Sequence, residues 1–584
     1  LAARRAAVAA LAARLDALSS ARLGGFLLGL LAAGLSFGAG LFSPWFVLVP
    51  AAAFLYLVAK FDAIRGRKVW AERGVRFYTA GLERLAGKPG GTGTGARFAD
   101  DAHPYATDLD LFGPGSVFER VTACRTRAGE DTLAAWLLGP ADPAEVRARQ
   151  SAVADLAPRL DLREAVAVSG ADAPAVDYRA LAEWGTLPQE RVPQWKRWVI
   201  EVLGWGNVAA WLGWLFFGTT SLPVLAFGLP SLVLAVPLLR WARQVLQPLE
   251  RTADSLALFE SLLGRLQREP FSSARLKELQ TAMTAAGLSA AEQIRELRAI
   301  LHGYNARRNA FFAPVAVLRM WSVRFAFKLE AWRARSGSAV PHWLRAAGEA
   351  EALSSLAGYA FEHPTDIYPT VESGPARLAT TGVGHPLLPH DRAVRNDVAL
   401  GGEHGPRVLI VSGSNMSGKS TLLRAVGVNA VLALAGGVVR ATTFVLTPLS
   451  LGATMRVQDS LQAGRSRFFA EVTKVRLLLD VATRPGGPPL LFLLDELFAG
   501  TNSADRVAGA GGVIRALLEA GAIGFVTTHD LSLTVVTDTI PGSANVHFSD
   551  GFAGGELQFD YTMRPGVVPH GNGLALMRAV GLKV

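Results

Sequence analysis

Three short stretches carry side chains suited to phosphate chemistry. The first is Gly413-Ser414-Asn415-Met416-Ser417-Gly418-Lys419-Ser420-Thr421, a G-x-x-x-x-G-K-S spacing closed by a threonine. Backbone N–H groups of such a glycine-bounded loop turn toward phosphate oxygens, Lys419 adds a point charge at the β and γ phosphates, and Ser420 offers a hydroxyl to Mg²⁺. The second is Asp495-Glu496, 76 residues after Lys419. Asp495 is suited to organise Mg²⁺ through water and Glu496 to align or polarise an attacking water. The third is Thr528-His529-Asp530, in which His529 stands where a γ-phosphate could be sensed.

Each stretch follows an apolar run that reads as a buried strand: Val408 to Val411, Pro489 to Leu494, and Ile523 to Thr528. Leu422 to Val426 continues the first loop as a helix. From about residue 376 the chain alternates short β-branched strands, glycine turns and helices, which predicts an α/β domain over 376–584.

The rest of the chain must be accounted for separately. Its 584 residues exceed one ordinary core and predict two to four domains. Half the residues are hydrophobic and only 18% are charged, below the roughly 25% usual in soluble domains, and mean hydropathy is +0.27. That balance argues against a purely soluble protein. Lysine and arginine exceed aspartate and glutamate by 10, which suits a polyanion or a membrane face. The lone Cys124 excludes an intrachain disulfide framework and a cysteine-rich metal site, and fits a reducing compartment.

The apolar surplus is concentrated. Leu23 to Ala59 and Val202 to Leu239 contain no Asp, Glu, Lys or Arg. Each run is nearly twice the roughly 20 residues that cross a bilayer once. Each is broken near its middle, at Gly38 to Pro44 and at Gly218 to Pro223, so each predicts a helical hairpin of two short spans. Arginines and lysines flank both runs, which places the large segments in the cytoplasm. An N-terminal helix over 1–22, hairpins over 23–59 and 199–239, helical segments over 60–198 and 240–375, and the α/β domain complete the organisation. Residues 241–350 carry 16 Lys/Arg against 9 Asp/Glu, so much of the positive excess lies there.

Between the first and second phosphate-type stretches lies Asp459-Ser460-Leu461-Gln462-Ala463-Gly464-Arg465-Ser466-Arg467-Phe468-Phe469-Ala470-Glu471. Together the ordered set resembles the ATPase domain of the MutS family of DNA mismatch-repair proteins, a branch of the ABC-type ATPases. Gly413 to Thr421 look like that family's G-P-N-M-G-G-K-S-T loop, Asp495-Glu496 with Gly500-Thr501 like its D-E-x-x-x-G-T segment, and Thr528-His529 like its T-H pair. Residues 459–471 are similar to its signature, D-x-L-x-x-G-R-S-x-F-x-x-E. Upstream, Gly384-His385-Pro386-Leu387-Leu388 and Arg395-Asn396-Asp397 look like the entry to the ATPase domain. Leu111, Thr122, Thr126, Gly129, Trp136-Leu137, Pro140 and Arg149-Gln150 look like the start of the helical core.

The resemblance implies a P-loop ATPase domain of ABC/MutS type at the C-terminus, preceded by an all-α core and lever region interrupted by transmembrane hairpins. It implies ATP and Mg²⁺ as cofactors, with Lys419, Glu496 and His529 as catalytic groups and Ser420 and Asp495 as metal ligands. Gly464, Arg465 and Ser466 would close the nucleotide site of the other subunit in a homodimer. The chain departs from the pattern at Ser414 and Ser417, which replace a proline and a glycine, and at Leu497-Phe498-Ala499, which replace I-G-R. Ala393 stands where relatives often carry an aromatic near the adenine. No N-terminal mismatch-reading domain with its G-x-F-[YF]-x-x-[YF] wedge precedes the core. The expected protein is a multi-pass ATPase of a bacterial-type cytoplasmic membrane, working on double-stranded DNA. The alternative is a mechanochemical ATPase acting on membrane lipids or a protein partner. A substrate transporter is disfavoured, because four short spans provide few polar groups for a pathway.

Overall fold

A computed structural model describes residues 1–41, 43–88, 91, 93–169, 178–188, 193–249, 253–284, 289–414, 416–456, 467–498, 502–553 and 556–568. The chain divides into two compact units, Leu1–Gly90 with Asp161–Asp172, and Gly91–Leu160 with Ala173–Val584.

In the first unit two long helices, Ala2–Ala33 and Leu48–Leu85, pack as a hairpin. The charged segment 1–22 and the apolar run after it share one helix, because no glycine or proline breaks the chain between them before Gly34 except Gly24-Gly25 and Gly29, which a helix tolerates. The turn falls where the sequence breaks, after Gly38. Most apolar side chains here, such as Leu28, Leu31 and Tyr56, are exposed. Glu164, wholly buried, draws the hairpin's charged ends to the short helix Leu160–Ser169, accepting from Arg4 at 2.7 Å and from the Tyr78 hydroxyl at 2.9 Å.

The second unit contains the other hairpin, helices Gln194–Phe217 and Leu222–Leu246. Its helices approach closely because Gly206 has no Cβ: an added one would fall 2.2 Å from the Phe227 ring. Nearby, buried Asn207 donates to Ser231 at 2.7 Å, satisfying two polar side chains inside an apolar pair. Among the described residues four helices are long and apolar enough to cross a membrane, and they mark a multi-pass membrane protein.

Helices continue to Glu362. The longest of those after the second hairpin, Val340–Glu362, packs against Arg127–Leu138 and Pro143–Leu156. At its centre Glu351 is 1% exposed and accepts from the Arg125 and Thr126 N–H groups at 3.1 and 3.2 Å and from the Thr126 hydroxyl. Burial pushes its carboxyl from the ordinary 4.5 up to about 7, against the pull of those hydrogen bonds. Between those two values the folded protein holds more proton than the unfolded chain, so stability falls as pH rises through that window. Glu351→Gln is expected to flatten this dependence, which is worth on the order of 2–3 kcal/mol. Unfolding temperatures at about pH 5 and about pH 8 check it: an unchanged difference between the two would reject the assignment.

The C-terminal part is mixed α/β, with ten strands among the described residues: β1 (Thr370–Val371), β2 (Arg377–Val383), β3 (Asn396–Gly401), β4 (Val408–Ser412), β5 (Thr443–Leu446), β6 (Ser450–Thr454), β7 (Leu490–Leu494), β8 (Ile523–Thr528), β9 (Ser543–Ala553) and β10 (Glu556–Pro565). Four form a sheet in the order β1-β5-β2-β3, and six a second in the order β10-β9-β4-β8-β7-β6. In the second, β9, β4, β8, β7 and β6 are parallel and β10 is an antiparallel edge. The runs VLIVS, LLFLL and IGFVTT are buried at every position, as parallel strands covered on both faces require. Because β4, β7 and β8 are parallel neighbours, their C-terminal ends, and the residues that follow, lie along one edge of the sheet.

Candidate functional site

At that edge β4 gives way to the loop 413–418 and then to the helix Lys419–Ala435. Gly418 caps this helix with φ 104°, a conformation L side chains rarely adopt, and a Cβ there would sit 3.1 Å from the Tyr561 ring. Met416 also has positive φ, at 77°, and is exposed. Ser417 is buried, its hydroxyl donating to the Ser414 carbonyl at 2.9 Å. Lys419 is 4% exposed; its ammonium donates to the Gly413 and Ser414 carbonyls at 2.8 and 2.6 Å. Those bonds satisfy a buried charge with the loop's own backbone. Ser420 and Thr421 begin the helix. Asn415 lies outside the described residues.

The two carboxylates follow β7. Asp495 accepts from the Thr527 hydroxyl of β8, and the same oxygen accepts from the Glu496 N–H at 3.0 Å. Thr527 thereby orients one carboxylate and the backbone of the next. Glu496 has φ 50° and Phe498 φ 57°, two non-glycine residues in left-handed conformation within one tight turn. Such backbone costs about 1–3 kcal/mol per residue and persists where surrounding contacts hold it. Glu471 supplies one: 4% exposed on the helix Arg467–Ala482, it accepts from the Phe498 N–H at 2.6 Å. His529 sits directly after β8, its Nδ1 3.2 Å from the Glu496 carboxylate. The structure thus brings the histidine and the glutamate into contact.

Lys419, Ser420, Thr421, Asp495 and Glu496 line one cleft of about 760 Å³, together with Gly418 and Met416. Its opposite wall holds residues the sequence did not single out as binding groups. His385, Leu388, Arg392 and Val394 come from the segment between β2 and β3, and Tyr561 from β10. Tyr561 reaches the cleft because β10 shifts register between Phe559 and Met563, where Asn396 bridges the kink by donating to the Tyr561 carbonyl at 3.0 Å and accepting from the Met563 N–H at 2.7 Å. Nothing local in the sequence marks that bulge. His385 is kept neutral: burial, and then Arg424 and Arg440, lower its pKa to about 4, and its Nδ1 accepts from the Leu387 N–H at 3.1 Å. Arg440, 1% exposed, holds this wall by donating to the His385 carbonyl at 3.2 Å and to the Leu388 carbonyl.

The other residues expected at the site, Gly464, Arg465 and Ser466, lie outside the described residues, as do Asp459 to Ala463 and Gly500-Thr501. Just before them, Asp108 ties the helical region to the end of β6. It is 1% exposed and accepts from the Met455 and Arg456 N–H groups at 2.6 and 2.9 Å and from the Lys474 ammonium. Among the described residues no group of three or more His, Cys, Asp or Glu side chains is placed to hold a metal.

Comparison with known proteins places this geometry. The family model described as MutS domain V matches residues 409–583, which include the loop, both carboxylates and the histidine. The chain is 34% identical over 225 residues to the DNA mismatch repair protein MSH6 of Arabidopsis thaliana, covering 36% of this chain and 17% of that protein. It is 33% identical over 204 residues to the DNA mismatch repair protein MutS 2 of Haloarcula marismortui, covering 35% and 21%. It is 32% identical over 242 residues to the protein of the same description in Halobacterium salinarum, covering 41% and 27%. The chain therefore spans between about a sixth and just over a quarter of the length of these relatives. Residues 409–583 form a C-terminal domain homologous to that of MutS-family proteins, and it follows a helical region that holds, among the described residues, four membrane-type helices.

Proposed function

We propose that this protein is a membrane-anchored MutS-like ATPase that couples ATP binding and hydrolysis, in a homodimer with composite sites, to conformational change on double-stranded DNA. The observation that carries the reading is the single cleft into which the ends of β4 and β7 deliver Lys419, Ser420, Asp495 and Glu496.

The side chains fit a magnesium nucleotide. Bound Mg²⁺ would neutralise phosphate charge, and it usually takes only one or two protein groups and keeps several waters, so one hydroxyl and one carboxylate, Ser420 and Asp495, suffice. Lys419 would exchange the Gly413 and Ser414 carbonyls for phosphate oxygens, a stronger pairing for an ammonium than neutral carbonyls. The backbone N–H groups of the loop from Gly413 to Gly418, with Asn415 among them, would face the same oxygens, and Thr421 would extend the contact into the helix. Glu496 would hold the proton of the attacking water, with His529 beside it to sense the γ-phosphate. Tyr561 offers the cleft a ring, and compensates for the alanine at 393 as a surface for the base. Gly464, Arg465 and Ser466 of one subunit would complete the site of the other, and closure there would pull on Glu471 and the carboxylate turn.

DNA as the substrate is supported by the relatives' descriptions as DNA mismatch repair proteins and by the positive excess over 241–350. The arginine and lysine flanks of the apolar runs support a cytoplasmic ATPase domain at a bacterial-type inner membrane. The four membrane-type helices favour a second reading, an ATPase that acts mechanically on a lipid or protein partner. A binding assay with labelled matched and mismatched duplexes, using the full chain in detergent with and without Mg-ATP, separates the two. The first reading expects affinity that falls steeply with salt and responds to ATP in the unaltered protein but not in Lys419→Ala. No duplex binding at low salt would reject it and favour the second.

A further inference from the structure

Beside the second hairpin lies a stretch too short to have been recognised as a membrane element. Residues 310–318, Ala-Phe-Phe-Ala-Pro-Val-Ala-Val-Leu, carry no polar side chain and are bounded by Arg307 and Arg308 on one side and Arg319 on the other. They form a turn and the helix Ala313–Leu318, which packs on the helix Gln194–Phe217. Phe311 is 96% exposed and Val317 76%. The stretch is anchored at its end: Arg319, 3% exposed, pairs with Glu201 at 3.2 Å and lies 3.7 Å over the Trp205 ring, while Asn207 donates to the Leu318 carbonyl at 3.4 Å. Apolar side chains this exposed, fixed beside a membrane-type hairpin, belong in hydrocarbon or at its boundary.

Between the stretch and the hairpin runs a cleft of about 620 Å³, lined by apolar side chains such as Trp211, Leu225, Leu229, Leu232 and Val317. That volume is in the usual range for sites of small molecules and lipid chains. Leu225, Leu229 and Leu232 are more than half exposed on a helix long enough to span the bilayer, so the cleft opens toward lipid. Arg307 also lines it. Its guanidinium is held in place by stacking 4.0 Å from the Tyr304 ring and donating to the Tyr304 hydroxyl at 2.6 Å. A planar guanidinium fixed in this way suits a phosphate, and exposed Arg308 adds a second positive charge next to it.

We propose that this cleft holds the acyl chain of an anionic phospholipid whose phosphate pairs with Arg307 and Arg308. Membrane lipid is thereby bound at a defined site where the hairpin meets the basic helices, and is not merely the solvent around the spans. The occupant is a lipid and not a second copy of the chain because the lining is mainly apolar, with Asn207, Ser231 and Ser322 as its uncharged polar members, while Arg307 is its one charged member among the described residues. A copy presenting the same face would oppose arginine to arginine.

The test uses the full chain in mixed vesicles containing phosphatidylglycerol and phosphatidylcholine, each in turn carrying a photoactivatable acyl chain, with labelled peptides identified by mass spectrometry. Labelling is expected in residues 224–232 and 313–322, with phosphatidylglycerol favoured roughly fivefold for each arginine engaged. Arg307→Gln with Arg308→Gln should bring the two lipids to equal labelling. Leu225→Trp, a change at an exposed rim position, should lower labelling by both. Equal labelling of the unaltered protein by the two lipids would overturn the proposal. So would labelling insensitive to Leu225→Trp, or crosslinks from these peptides to a second copy in place of lipid.

Discussion

Glu496→Gln should bind Mg-ATP as tightly as the unaltered protein and release phosphate on the order of 100-fold to 10,000-fold more slowly, the range expected when a general base is removed. The amide keeps the size of the carboxylate and can still lie beside His529, which is 3.2 Å away. The turn that presents it is held from elsewhere, by the Thr527 hydroxyl at the Glu496 N–H and by Glu471 at the Phe498 N–H. Geometry should survive while the ability to take a proton is lost. Equilibrium binding of a fluorescent ATP analogue and single-turnover phosphate release check the two halves separately. Turnover near that of the unaltered protein would remove Glu496 from the mechanism, whatever happens to affinity.

Lys419→Ala should act on the other half, weakening nucleotide binding by roughly tenfold to a hundredfold, as the loss of a charge-assisted hydrogen bond implies. The helix that begins at Lys419 is capped by Gly418 and buried along most of its length by Leu422, Leu423, Val426 and their successors, none of which depends on the ammonium. The Gly413 and Ser414 carbonyls lose a donor, which water entering the space left by the ammonium is expected to replace. The substitution should therefore leave the fold intact, as circular dichroism and thermal unfolding would show, while titration calorimetry reports the weakened binding. An unchanged dissociation constant would mean that the loop does not hold phosphate.

The parts of this site readable in the sequence are those set by local pattern. Strands β4, β7 and β8 were visible because a strand covered on both faces is a continuous apolar run, and each such run ended in residue types suited to phosphate chemistry. The helical hairpins were visible for a similar reason: uninterrupted apolar runs with a glycine or proline break. What escaped depends on contacts distant in the chain. Glu471 matched the signature pattern, but that it caps the turn 27 residues later could not be seen without the fold. Tyr561 enters the cleft only because a register shift in β10 turns it there, and Asn396, 165 residues earlier, holds the shift. No local pattern marks Asp108 as the acceptor for the N–H groups that follow β6. The stretch 310–318 is too short to span a bilayer, and its meaning comes from the hairpin it lies against. Across residue 22 one helix runs on from Ala2 to Ala33, because charge changes there while helix propensity does not.

In the proposed function the C-terminal domain, attached to its membrane helices, hydrolyses ATP at the cleft bounded by Lys419 and Glu496. Steady-state phosphate release by the full chain reconstituted in lipid vesicles tests it most directly. Release is expected to require Mg²⁺ and to fall to background in Lys419→Ala and in Glu496→Gln. Release absent from the unaltered protein, or undiminished in both variants, would contradict it.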